Sequence, residues 1–368
     1  MKGEICIIYL DHAATTPLCE AAKQAIVEHL DDYGNPSSTY EFARKSRVLI
    51  EDARERIAKC INAYPDEIFF TSGGSEANSW VLDQCMAISS QIEHHSLRAQ
   101  YNNIIISKDG VIDPQHFSCI NHKLSKLFEM MSCMYVNNEI GTIQPIKDIA
   151  QIAHGKGMLF HTDAVQAVGH IPVDVKELGC DMLSASGHKF GAPKGVGFLY
   201  VKRGVIINSL ISGGKQERGL RGGTENVLGI VAMASALEDA VYNMEDRNKH
   251  VQKLRDKMLC GLLDIEGAHI NGSMLHRTSS NINMRFDGVS GSRLVALCDL
   301  YGVCISAGSA CNEGDATPSH VLKAIGLSDA EALNSIRITI GHQNTEEEID
   351  AATAIITKLV ERIRNDVE

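Results

Sequence analysis

DMLSASGHKFGAPKGVGFLYV, residues 181–201, carries the reading of the fold. DMLSA (181–185) and GFLYV (197–201) are apolar runs with the length of buried strands. Between them lies a polar, glycine-rich turn with Lys189 ahead of GAPKG. A lysine held at a strand end could be desolvated and form a Schiff base with an aldehyde cofactor. Ser186 and His188 flank it, and both could donate hydrogen bonds to a phosphate. Taken alone, Lys189 reads more simply as a solvated surface charge.

Outward from this stretch, short β-rich runs alternate with amphipathic helices, the pattern of an α/β fold. EIFF (67–70), MYV (134–136) and MLFH (158–161) are further strand candidates. Each ends in polar or glycine-rich sequence, and ligands in open α/β sheets bind at the carboxyl ends of strands. SRVLIEDARERIAKCI (46–61) is a helix whose Leu49, Ala53, Ile57 and Ile61 share one face. The texture changes near residue 251. HVQKLRDKMLCGLL (250–263) reads as a long helix entering a second domain, followed by the strands INMRF and SIRITI. Ser328 with Glu331, and Thr345 with Glu348, are capping boxes that open two helices. In the last helix Ile349, Ala352, Ile356, Leu359, Val360 and Ile363 form a core-facing stripe. The organisation expected is a large domain over 12–250 and a smaller one made of 1–11 and 251–368.

Composition narrows the function classes. The 368 residues are 44% hydrophobic, enough for a sizeable core. A net charge of −11 without a Lys/Arg-rich run argues against nucleic acid as a partner. The eleven cysteines contain no CxxC pair and match no zinc pattern, so no metal is expected. No segment approaches the length of a membrane span. A cytoplasmic location with reduced thiols, most of them core residues, is expected.

Four more segments carry candidate site residues. In TSGGSEAN (71–78), Gly74 and Ser75 would open a helix whose N–H groups point at an anion. An ordinary N-cap by Ser75 or Thr71 fits as well. In HTDAVQAVG (161–169), Asp163 could pair with a pyridinium nitrogen, or cap a helix, and Gln166 could donate to a phenolic oxygen. In IEHHSL (92–97), His94 or His95 could stack on a flat ring and move protons. In VNNEIGT (136–142), Asn138 could reach ring substituents or hold a turn. Their joint appearance, in an order compatible with one site, points to pyridoxal 5′-phosphate (PLP).

YLDHAATTPL, YGNPSS, FTSGGSEAN, EHH, VNNEIGTIQP, HTDAVQAVG, SASGHKFGAPKGVGFLYV, ERGLRGGTEN, SAGSAC and SIRITIG follow one another nearly end to end. In this set the chain resembles the cysteine desulfurases, a branch of the class V aminotransferase group. The resemblance implies fold type I of PLP enzymes, with a large mixed-sheet α/β domain and a smaller α+β domain. It implies that Lys189 carries the cofactor, that Asp163 and Gln166 hold the ring nitrogen and phenolic oxygen, and that His94 stacks on the ring. Gly74, Ser75, Ser186 and His188 would hold the phosphate. Thr224 would reach the phosphate of a partner subunit, which makes the protein a homodimer. Asn138 would lie near the ring, and Arg337 would clamp the substrate carboxylate.

The resemblance makes Cys311 the residue that takes sulfur from L-cysteine as a persulfide, releasing L-alanine. SAGSACNEGDATPS (306–319) is rich in small residues, a loop composition that argues against burial. Cys304, in the apolar YGVCIS, reads as buried. Lys189 would take the α-proton, and His94 or a nearby base the thiol proton. The sulfur would pass to an acceptor protein, for instance an iron–sulfur scaffold or a tRNA-modifying enzyme. Selenocysteine lyase, a small aminotransferase and a catalytically silent PLP scaffold are the alternatives. His12 stands where the related motif has Asn, Ala43 where Gly is common, and the stretch between Ser75 and His94 is short.

Overall fold

The computed structural model describes residues 7–97, 101–114, 127–307 and 317–366. Strand β1 (Ile8–Tyr9) precedes the seven strands of the main sheet. These are β2 (Ile68–Thr71), β3 (Ala87–Ser90), β4 (Tyr101–Ile104), β5 (Met130–Ser132), β6 (Leu159–Asp163), β7 (Met182–Ser186) and β8 (Gly197–Val201). Their order is β2-β8-β7-β6-β5-β3-β4. Only β8 runs against its neighbours; every other pair is parallel. The carboxyl ends of β2, β3, β6 and β7 therefore share one edge, and Gly74, His94, Asp163 and Lys189 follow those ends.

Side chains alternate between two cores, as strand geometry requires. Phe198 and Tyr200 of β8 join the core that holds Ile50, Ile57, Ala232 and Leu237. Leu199 and Val201, one residue out of phase, join Trp80, Val81 and Met182. Helices Glu41–Cys60 and Val227–Tyr242 thus cover one face, and helix Gly74–Leu82 lies on the other. Gly197 is fixed by close approach, because a Cβ there would stand 2.5 Å from the Ala185 carbonyl and 2.7 Å from the Gly73 Cα.

A second, separate apolar cluster gathers Ile8, Leu10 and residues from Val251 to Ile363. It packs on the antiparallel sheet β12-β13-β10-β9, made of β9 (Ala268–Ile270), β10 (Asn281–Phe286), β12 (Ser306–Ala307) and β13 (Ser335–Thr339). Strand β11 (Val303–Cys304) pairs in parallel with β1. Both capping boxes form, and all six stripe residues of the last helix are buried. Val321, Leu322, Ile325 and Ala332 join the core of the main sheet instead. No single helix among the described residues is long and apolar enough to cross a membrane.

Three expectations change in detail. MYV is not a strand: β5 ends at Ser132, and the Met134 amide donates to the buried Glu93 carboxylate at 2.9 Å rather than to a ladder partner. The helix expected from residue 250 begins at Met244, after a 71° bend from the preceding helix. Cys304 is half-buried, not buried, because β11 pairs only with the two-residue β1.

Candidate active site

A cavity of about 220 Å³ lies against the common strand edge. Ten of the residues singled out in the sequence line it: Gly74, Ser75, His94, Asn138, Asp163, Gln166, Ser186, His188, Lys189 and Arg337. The turn Gly187–Lys189 is a single tight helical turn that swings Lys189 back under β7. Its Nζ donates to the carbonyls of Ala13 at 2.6 Å and Ala14 at 2.8 Å. Burial, and then the nearby Arg337 guanidinium, press its pKa down to about 8, while Asp11 and Asp163 oppose the drop.

Asp163 ends β6 and is buried. Burial pushes its carboxyl up, against hydrogen bonds from the Val165 amide at 2.9 Å and Asn78 Nδ2 at 2.7 Å. The Lys189 ammonium also favours its anion, as an imidazolium at His94 would. Such a carboxylate gains most from a cation placed directly against it.

Arg337 sits on β13 and crosses to this cavity from the smaller sheet. Its Nη2 pairs with Asp11 Oδ1 at 2.8 Å, and its Nη1 donates to the Asn138 carbonyl at 2.9 Å. Its Nε is buried with no hydrogen-bond partner. That orphaned donor is the kind of group a ligand carboxylate would satisfy. Gln166 Nε2 shares the Ala13 carbonyl with Lys189, at 2.9 Å. His188 Nδ1 lies 3.1 Å from Thr15 Oγ1; burial, and then Lys189, lower its pKa to about 4, so its ring is neutral.

The helix Gly74–Leu82 opens on this cavity with no side-chain cap on its first turn. A Cβ on Gly74 would stand 2.6 Å from Val165 Cγ2 and 3.5 Å from Ser186 Cβ. Glycine therefore keeps the cradle open where the helix N–H groups face it. The donors, the cradle, the depressed lysine and the buried aspartate fit a phosphorylated pyridine aldehyde.

The two histidines separate: His94 lines the cavity, whereas the His95 ring lies 4.9 Å from His320. Thr224 is exposed and does not line it. Cys311 lies outside the described residues. His12 turns away from this cavity and packs its ring where any side chain on Gly341 would collide with it. The short stretch after Ser75 is taken up by the rest of helix Gly74–Leu82, with β3 beginning five residues after its end. Sequence reasoning missed Asn78, Ser96, Asp11 and the Ala13 carbonyl. Asn78 had a signal, since it stands one helical turn after Gly74 and faces the same way. Ser96 and the Ala13 carbonyl had none.

The profile described as aminotransferase class-V matches residues 8–352. The chain belongs to that family, and within it to the cysteine desulfurases. A cysteine desulfurase IscS of Methanosarcina thermophila is 39% identical over 97% of this chain and 93% of its own length. A solved NifS-like protein superposes with a TM-score of 0.88 at 35% identity, covering 97% of this chain and all of the other. A structure titled SspA in complex with cysteine superposes with a TM-score of 0.78 at 32% identity, covering 92% and 99%. The family is PLP-dependent, and this chain is a PLP-dependent cysteine desulfurase of fold type I.

The depressed Lys189 has a direct consequence. Its amine in the cofactor-free chain should react with acetic anhydride at half-maximal rate near pH 8, when followed peptide by peptide by mass spectrometry. Surface lysines should still be gaining reactivity above about pH 10. Arg337→Gln removes a cation that disfavours the ammonium, so the midpoint should rise. A Lys189 rate that still climbs through about pH 10 in the wild-type chain contradicts the assignment.

Proposed function

We propose that Lys189, Asp163 and Arg337 divide the chemistry of cysteine desulfuration, with Cys311 as the sulfur acceptor. The observation that carries this reading is that Lys189, Asp163 and Arg337 line one cavity. Bound there, PLP supplies an electron sink for the pair released when the substrate Cα–H bond breaks. Asp163 keeps a proton on the ring nitrogen, and Gln166 donates to the phenolic oxygen. Gly74, Ser75, Ser186 and His188 hold the phosphate. His94 would lie against the ring, and Asn138 beside it.

Arg337 takes the substrate carboxylate with its free Nε and its remaining Nη hydrogens, and Asp11 holds the guanidinium in that aim. Lys189 would anchor the cofactor, and its free amine would take the α-proton. A pKa near 8 leaves a useful fraction of that amine unprotonated at neutral pH. Cys311 Sγ, as thiolate, then attacks the substrate Sγ. The substrate C–S bond breaks as the S–S bond forms, leaving a persulfide on Cys311 and alanine as product. The persulfide sulfur passes to an acceptor protein, of the iron–sulfur scaffold kind that the IscS name suggests for the relatives.

The same reading makes the protein a cytoplasmic homodimer. Val27, Leu30, Tyr33, Tyr40, Phe42 and Val48 are all exposed, Tyr33 82% so, and the Tyr33 ring lies 4.9 Å from that of Phe42. An apolar group of this kind supports a protein–protein contact. The Ser37 hydroxyl accepts from Gln216 at 3.4 Å, so this group adjoins the loop that leads to Thr224. Two units, residues 12–250 and residues 1–11 with 251–368, are supported by the separate apolar cores, with Val321, Leu322, Ile325 and Ala332 of the second packing into the core of the first.

Cys311→Ser should keep the cofactor and still bind cysteine, yet lose alanine release by several orders of magnitude. Mass spectrometry of wild-type protein after cysteine should find one extra sulfur on the Cys311 peptide. Near-normal turnover in the variant, or the sulfur on Cys304, contradicts the role of Cys311. For the dimer, Lys189→Ala chains mixed with Thr224→Ala chains should regain activity. The mixed pair keeps one site with neither defect when Thr224 acts across the interface. Activity no better than either variant alone contradicts a shared site.

A further inference from the structure

Four side chains beside the cavity form one hydrogen-bonded row whose every direction is determined. Asn78 Nδ2 has two hydrogens and donates to Asp163 Oδ2 at 2.7 Å and to Ser96 Oγ at 3.0 Å. Asn78 is 1% exposed, and its Oδ1 has no partner. The amide is thus turned so that its nitrogen serves both neighbours. Ser96 in turn meets His94 twice: its Oγ lies 2.7 Å from His94 Nδ1, and its backbone N–H donates to the same nitrogen at 3.2 Å.

A backbone N–H can only donate, so His94 Nδ1 carries no proton. The Ser96 hydroxyl, already accepting from Asn78, donates its own hydrogen to that nitrogen. The imidazole proton is left on Nε2. The second shell of a histidine commonly sets its tautomer in this way. Here the setting runs back to the carboxylate that faces the cofactor ring.

We infer that Ser96 and Asn78 are positioning residues that hold His94 as the neutral tautomer protonated on Nε2. The inference rests on the site proposed above. Its consequence is a division of labour. With Nδ1 engaged by two donors and Nε2 already protonated, neutral His94 gives a hydrogen bond from Nε2 and has no free nitrogen to accept a proton. The substrate α-proton therefore goes to Lys189 rather than to His94. The charged and titratable groups around His94 are Asp163, Lys189 and His95, with Arg337 on the far wall. Asp163 favours the imidazolium, whereas Lys189 and His95 oppose it, as burial does.

The test is read on the histidine side chains of the full-length chain, and it does not depend on turnover. Nitrogen-15 correlation spectra, with His94→Gln to identify the His94 signals among the fifteen histidines, report the tautomer directly. The wild-type chain should give the Nε2–H pattern. Ser96→Ala removes the stronger of the two donors to Nδ1 and leaves the weaker. The neutral form then loses support, so the His94 titration midpoint should move up by roughly half a unit to one unit. Ser96→Thr should restore it. An Nδ1–H pattern in the wild-type chain overturns the inference, whatever becomes of the variants. So does a Ser96→Ala midpoint equal to that of wild type. Neither result would touch Lys189 or Cys311, and loss of activity in Cys311→Ser would leave the tautomer standing.

Discussion

The Ala13 carbonyl accepts from both Lys189 Nζ and Gln166 Nε2, at 2.6 and 2.9 Å, and the site is organised around that oxygen. The chain from Leu10 to Thr16 can offer it only because both flanks are tied down. On one flank Thr339 donates to the Leu10 carbonyl at 2.8 Å, and its hydroxyl accepts from the Ala13 amide at 2.9 Å. Asp11 grips Arg337 on the same strand. On the other flank Thr16 uses both its amide and its hydroxyl to reach the His188 carbonyl. One short segment, turned at residues 12–14, thereby sets the spacing between a lysine on the main sheet and an arginine on the smaller one.

Charge follows from that spacing. Lys189 and Arg337 crowd two cations against one cavity, and Asp11 and Asp163 place two anions beside them. An isolated buried charge costs far more than a paired one, so the four are viable only together. The balance is deliberately incomplete in chemical terms: Arg337 keeps a buried N–H unpaired, and Lys189 is held where its proton leaves easily. Strain of this kind is common where a ligand completes the hydrogen bonding. A second balance operates at the Thr224 loop. Glu217 and Arg218 take left-handed backbone angles there, and Arg54 pairs with Glu217 at 2.8 Å in the interior. Arg221 then joins Glu76, one residue beyond Ser75. The loop that carries Thr224 is stapled to the helix that opens the phosphate cradle.

Most of the fold was legible because its signals are local. Capping boxes, the stripe of the last helix and the apolar runs of β7 and β8 are each written within a few residues. MYV misled because apolar composition cannot say where a ladder stops; a buried Glu93, forty-one residues away, took the amide that would have continued it. Lys189 and Asp163 were legible as residue types at strand ends, and Arg337 through the resemblance carried by SIRITIG. Their partners were not, because Ala13 acts through its backbone and Asn78 reaches Asp163 only once helix Gly74–Leu82 packs beside β6. Asp11 was in plain view in YLDHAATTPL, yet nothing in the sequence ties it to a residue 326 positions on.

The central claim is that Lys189 is the covalent seat of the cofactor. Borohydride reduction of the holoenzyme, followed by digestion and mass spectrometry, tests it most directly. The account predicts a single pyridoxyl adduct on Lys189 and none on the exposed Lys194 five residues later. An adduct on Lys194, or no stable adduct on any lysine, would contradict it.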